Sequence, residues 1–177
     1  MAALLPLAWL LAGTVPAPPA PAVDAALADS RDGPVRLSSY RGKPLVLFYE
    51  DRESSEQNAR LKKALHQRAE AAQLSQAAHV LGVANVAAYD FWPARGFVLA
   101  AIRDVEERER IPVLVDWKRA LGAAPWRLPE GASSVVLLDA EGHLVHGWTG
   151  TVEGPDMEEF FEMLGQLVRR ASESAAL

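Results

Sequence analysis

The sequence predicts an α/β fold: a central mixed β-sheet flanked by helices on both faces. Three observations predict it. Apolar runs alternate with helix-like stretches through the first half of the chain, the pattern of parallel strands joined by crossover helices. Two further apolar runs, separated by a tight turn and followed by one amphipathic stretch, read as an antiparallel hairpin and a closing helix. The length, 177 residues, suits one ordinary domain plus a short extension.

The elements follow in order. Val35-Arg36-Leu37 alternates like a short strand and ends at the turn-prone Tyr40-Arg41-Gly42. Pro44 to Tyr49 (PLVLFY) is a continuous apolar run, as expected of a strand buried on both faces. Ser54 to Ala72 is expected to be helical, with Leu61, Leu65 and Ala69 on one stripe and a capping-box spacing from Ser54 to Gln57. His79 to Val86 is a second apolar strand. Trp92-Pro93 introduces a helix over Ala94 to Arg108, and Pro112 to Asp116 is a third strand. Ser134 to Asp139 and Leu144 to Trp148 form the hairpin around Ala140-Glu141-Gly142. Pro155 opens a final helix through Arg170, with Phe160, Met163, Leu164 and Leu167 on one face. The tail after it is expected to fray.

Residues 1–23 carry no charged side chain. Met1 to Ala12 is a compact apolar run, too short for a bilayer span of about 20 residues. It has the length of a signal-peptide core, with Ala20, Ala22 and Ala25 as possible cleavage flanks and a Pro/Ala tract as spacer. No Lys or Arg precedes the core and Pro6 interrupts it, so a non-exported start stays open. The expected organisation is residues 1–26 as signal peptide and spacer, 27–172 as the domain and 173–177 as tail. The expected compartment is periplasmic or secreted.

Composition removes several function classes. The formal net charge is -5, so the concentrated basic face that nucleic acid needs is not expected. There is no cysteine, which excludes disulfides, thiol catalysis, Cys-ligated zinc and a lipoprotein anchor. Gly42-Lys43 is not a phosphate loop, because Leu37 stands where its first glycine belongs and Pro44 follows the lysine.

Three stretches carry a family resemblance: VRLSSYRGKPLVLFYEDRESSEQN, IPVLVDWKRALG and SSVVLLDAEGHLVHGWTG. In order and spacing they resemble the thioredoxin-like superfamily, in particular its exported TlpA/peroxiredoxin-like (AhpC/TSA-like) branch. The middle span and hairpin are similar to the YtfJ-type periplasmic group. The resemblance implies a thioredoxin-like fold, a short helix after the IPVLVD strand, and an envelope setting. It supplies no reaction.

The same resemblance locates where a redox site would be. With Phe48-Tyr49 on the family's aromatic pair, Glu53-Ser54-Ser55-Glu56 occupies the C-x-x-C motif, with Glu53 and Glu56 at the cysteine positions. In the peroxiredoxin register Ser54 and Gln57 take the Thr and Cys positions, and Glu50 replaces the Pro. The cis-proline position reads Ser133 or Ala132, where an ordinary trans bond is expected. A helix N-terminus favours charged carboxylates, so Glu53 and Glu56 there make poor proton donors and read as dipole-complementing residues.

Glu50, Asp51, Glu53 and Glu56 read as a solvated acidic rim, with cation binding open, though the spacing matches no calcium loop. His143 and His146 are expected on opposite faces of a strand and so not to share a metal. No catalytic residue, metal or cofactor is expected. A binding rim is expected from Tyr49, Asp51, Arg52, Trp92, Trp126, Arg127 and Ser133, since exposed Trp and Arg are common interface anchors. Three functional readings remain: a redox-inactive module binding an envelope protein or peptide, an enzyme with cysteine-independent or partner- or metal-completed chemistry, and a purely structural domain.

Overall fold

The computed structural model of the chain describes residues 21–176 apart from Gln73, and the side chains of that set apart from 69–75. The Met1–Ala12 run lies outside the described residues, and so does the side chain of Ala69 on the expected stripe. Seven strands form one mixed sheet in the order β2-β1-β5-β4-β3-β6-β7. They are β1 (Ala26–Ala28), β2 (Pro34–Arg36), β3 (Leu45–Glu50), β4 (His79–Asn85), β5 (Val113–Asp116), β6 (Ser134–Leu138) and β7 (Leu144–Thr149). The helices are α1 (Ala59–Ala72), the one-turn α2 (Leu74–Ala77), α3 (Ala94–Glu109) and α4 (Pro155–Ala175).

β3 is the centre. It pairs parallel with β4, Leu47 opposite Leu81, and antiparallel with β6, Leu47 opposite Val136. β4 pairs parallel with β5, and β6 with β7 as the expected hairpin. The continuous apolar run of β3 follows from this placement: strands flank it on both sides and both of its faces are covered.

The cover is uneven. Val46 and Phe48 of β3, with Val135 and Leu137 of β6, face Leu61 and Leu65 of α1 and Phe160, Leu164 and Leu167 of α4. Further along the same face, Val113 and Val115 of β5 meet Ile102 of α3. Gly82 of β4 lies beneath Val113, whose Cγ2 would be 3.2 Å from a Cβ there. Among the described residues, the opposite face, with Leu45, Leu47, Tyr49, Leu81 and Val83, has the 3-10 helix Leu37–Tyr40 as its helical cover. Leu121 and Trp126 from the loop after β5, and Val23, Ala25 and Leu27, complete it.

Several expectations change. The strand β1 was not expected; it pairs with β2 and, through Ala28 opposite Val115, joins the hairpin to the sheet. Residue 27, the expected start of the domain, lies inside the packed body, because Val23 and Ala25 are buried. α1 starts at Ala59 rather than Ser54, and residues 52–58 form turns. No helix follows β5. The buried Asp116 carboxylate accepts the N–H groups of Lys118 (3.2 Å), Ala120 (2.8 Å) and Leu121 (3.0 Å), while Arg119 adopts a left-handed φ of 54°. A loop wound on one carboxylate replaces the helix. α4 runs past Arg170 to Ala175, so the residues expected to fray up to that point are helical.

Trp126, expected on an exposed rim, is 6% exposed and its indole N–H donates to the Asp24 carbonyl (3.1 Å). Its size is spent closing the face that lacks long helices. We expect Trp126→Ala to lower unfolding free energy by about 3–5 kcal/mol in urea titrations. Phe97→Ala, at a side chain 75% exposed, should change it by no more than about 0.5 kcal/mol.

Candidate functional site

β3, β4 and β5 are parallel, so the segments leaving their C-terminal ends share one edge of the sheet. Ligands of open α/β sheets bind beyond that edge. Here it is built from Asp51–Asn58 after β3, Ala87–Pro93 after β4, the loop after β5, and the residues that lead into β6.

Glu50 ends β3 with its side chain turned inward. Its Oε2 accepts from Lys62 Nζ (2.6 Å) and its Oε1 from Ser133 Oγ (2.9 Å). Ser133, fully buried, accepts at the same Oγ from Asn58 Nδ2 (2.8 Å), and its N–H donates to Gln57 Oε1 (2.9 Å). Asn58 also donates to the Gly150 carbonyl (2.9 Å) and accepts at Oδ1 from the Val152 N–H (2.8 Å). Asp51 Oδ1 accepts from the Ser54 N–H (3.0 Å) and hydroxyl (2.7 Å), and its Oδ2 from the Gly131 N–H (2.6 Å). Residues 50–58 and 131–133 therefore stand face to face, joined by side chains.

These bonds revise the sequence reading. Glu50 does not belong to a solvated rim. Burial pushes its carboxyl above the ordinary range, and Lys62 and Ser133 only partly offset it. The capping box is absent: Ser54 bonds Asp51, and Gln57 reaches across to Ser133. Glu53 and Glu56 are exposed in turns ahead of α1, so they do not sit in its first turn. Ser54 is buried and Ser55 exposed. Tyr49 is no rim residue. It is 1% exposed, its hydroxyl has no partner among the described residues, and burial, with Asp116 nearby, holds its pKa well above the ordinary value.

Asp51 is half-buried. Burial draws its pKa up, but hydrogen bonds from Ser54 and Gly131 outweigh that and hold it low. Arg52, Trp92 and Arg127 remain at the surface, Trp92 at 90% exposure, and Phe91 and Phe97 beside it are also exposed. The bond before Ser133 is trans; the cis bonds precede Pro93 and Pro125.

Asn58, Lys62, Gly131 and Phe97 were not singled out in the sequence. Asn58 and Gly131 bond residues 75 and 80 positions away, which no local spacing signals, and the exposure of Phe97 shows only in the fold. His143 precedes β7, so strand alternation does not govern it; its Nδ1 lies 2.9 Å from Asp139 Oδ2. His146 lies against Trp148 with the rings tilted at 48° and their centroids 4.3 Å apart.

Beside this site a cleft of about 940 Å³ runs between α1 and α3. Phe48, Leu65, Val80 and Val105 give it apolar walls, and Glu50 and Lys62 also line it. No helix among the described residues is long and apolar enough to cross a membrane.

No known protein family matches the chain, and no curated protein does. Solved structures do. A Chlorobium tepidum protein assigned as a DsbE thiol:disulfide interchange protein aligns at 14% identity and TM-score 0.61, over 85% of this chain and 96% of that one. The exposed lipoprotein thioredoxin of Streptococcus pneumoniae aligns at 22% and 0.54, over 82% and 100%. A peroxiredoxin-like protein from Aquifex aeolicus aligns at 13% and 0.56, over 84% and 86%. At these identities the likeness establishes the fold, and the fold is thioredoxin-like. The chain carries it without a cysteine.

Glu50 gives a pH test. A carboxyl with a folded pKa above its unfolded value adds stability below the unfolded pKa and loses it as pH rises through the folded one. Relative to Glu50→Gln, the wild type should lose stability as pH climbs from below the ordinary carboxylate range through the raised one. Urea titrations across that window check it; a flat or rising difference contradicts it.

Proposed function

We propose that this thioredoxin-fold chain is a redox-inactive module of the cell envelope that binds a protein or peptide beside the former active-site edge. The exposure pattern carries the reading. The polar groups at the degenerate motif are spent on internal hydrogen bonds, while Phe91, Trp92 and Phe97 stand 56%, 90% and 75% exposed within one short stretch. Large aromatics that stay in water at the edge where α/β sheets bind ligands mark an interaction surface. Arg52 and Arg127 are exposed on neighbouring loops as polar rim. With no sulfur in place of the two cysteines, dithiol exchange and thiol peroxidation have no nucleophile. The apolar N-terminal run, the YtfJ-type resemblance and the exposed lipoprotein among the structural neighbours support the envelope setting.

The binding surface is narrower than the seven-residue rim drawn from sequence. Tyr49, Trp126 and Ser133 are interior. A peptide pairing with the Ser133 N–H would have to displace Gln57. The test is crosslinking and capture from the native envelope fraction. Trp92→Ala should weaken capture of the specific partner about 30-fold, the scale of an interface hot spot, with the melting temperature unchanged. Retained capture removes this surface, and insulin reduction or peroxide turnover by the pure protein removes the redox-inactive reading.

The cleft favours a second reading, in which the chain holds a small molecule. Its volume and apolar walls match small-molecule sites, and a carboxyl raised by burial reaches it. Native mass spectrometry of protein purified from its own source should then show a bound species that a cleft-filling Val80→Trp loses; unliganded wild type contradicts this reading.

A further inference from the structure

We propose that the chain carries a processing site at the Ala22–Val23 bond, so that the working protein begins at Val23. The inference rests on the envelope reading above and fixes a residue for it. Sequence alone offers Ala20, Ala22 and Ala25 as small flanks for cleavage.

Packing separates the three. Pro21 and Ala22 are exposed, and Val23 is the first buried side chain of the described residues. Its N–H donates to the Gly142 carbonyl in the turn between β6 and β7 (2.8 Å). Asp24 is more deeply committed. Its Oδ1 accepts the N–H groups of Ala25 (2.8 Å) and Ser38 (2.9 Å), its Oδ2 pairs with Arg36 (2.7 Å), and its carbonyl accepts the Trp126 indole N–H (3.1 Å). A cut after Ala25 would remove Val23, Asp24 and Ala25, break all of these bonds and take two buried side chains from the cluster that holds Trp126. Among the described residues, a cut after Ala22 removes only the exposed Pro21 and Ala22. Ala20 and Ala22 then stand third and first before the bond, the small-residue pair that a leader peptidase reads.

The bond that Val23 makes to the Gly142 turn is compatible with the cut. Hydrolysis adds water across the Ala22–Val23 amide. The released leader keeps the new Ala22 carboxylate, and the Val23 nitrogen takes up the proton and becomes an ammonium. That ammonium still donates, so the bond to Gly142 survives. The cut at Ala22–Val23 therefore leaves the tie between the new terminus and the turn between β6 and β7 in place.

The chain is to be expressed from Met1 in a bacterial host, with intact mass and N-terminal sequencing on envelope and cytoplasmic fractions. The envelope form should start at Val23, and Ala22→Leu, a change at an exposed position, should leave the precursor uncut. An envelope form starting at Ala26 or elsewhere overturns the site while keeping the export reading, as does unchanged processing of Ala22→Leu. A chain found only uncut in the cytoplasm overturns both. Purified protein starting at Ala26 should melt about 4 °C or more below protein starting at Val23; equal melting refutes the packing argument.

Discussion

A carboxylate at the end of a buried strand must be satisfied by its neighbours, and Glu50 at the end of β3 is in that position. Removing such a charge from water costs several kcal/mol unless partners replace the solvent. Lys62 supplies a charge from α1 and Ser133 a hydroxyl from the head of β6. Ser133 is then positioned by Asn58 and Gln57, and Asn58 in turn holds Gly150 and Val152 after β7. One charge thus fixes the relative placement of a helix, a turn and the ends of three strands. The edge where a thioredoxin-like enzyme keeps its sulfurs is here a closed polar knot.

That closure redirects attention outward. A surface whose donors and acceptors are internally matched has little to offer a partner's backbone, so affinity has to come from apolar area. Phe91, Trp92 and Phe97 supply it. The ion pairs beneath them hold the platform: Arg95 at the start of α3 bonds Asp90 and Asp32 and lies over the Trp117 ring at 4.2 Å. The aromatic stretch is thereby linked to the first hairpin and to the end of β5.

Much of the fold was legible in the sequence. β3, β4, β5 and the closing hairpin announced themselves because both faces of the central strands are covered, and such strands read as unbroken apolar runs. α4 declared its face through Phe160, Leu164 and Leu167. β1 did not, because Ala26-Leu27-Ala28 is too short and too alanine-rich to differ from the spacer before it. The loop after β5 misled because WKRALG has helix-forming residues, and nothing in sequence shows that Asp116 takes up the N–H groups a helix would use. The site was legible as a place and not as a set of contacts. The residues that meet 131 and 133 are Glu50, Asp51, Gln57 and Asn58, which flank positions 53–56, and Tyr49 and Trp126 look like binding aromatics until their burial is seen.

The central strand has a neighbour that comes late. β3 needs β6 on one side, and the apolar surface of both stays open until Phe160, Leu164 and Leu167 of α4 fold over it. Pairings between segments so remote along the chain form slowly, because the entropy of closing the intervening loop is lost before any contact repays it. A nascent polypeptide built this way cannot lock its structure until nearly all of it has left the ribosome. Throughout that interval β3 stands without the strand that closes its second side.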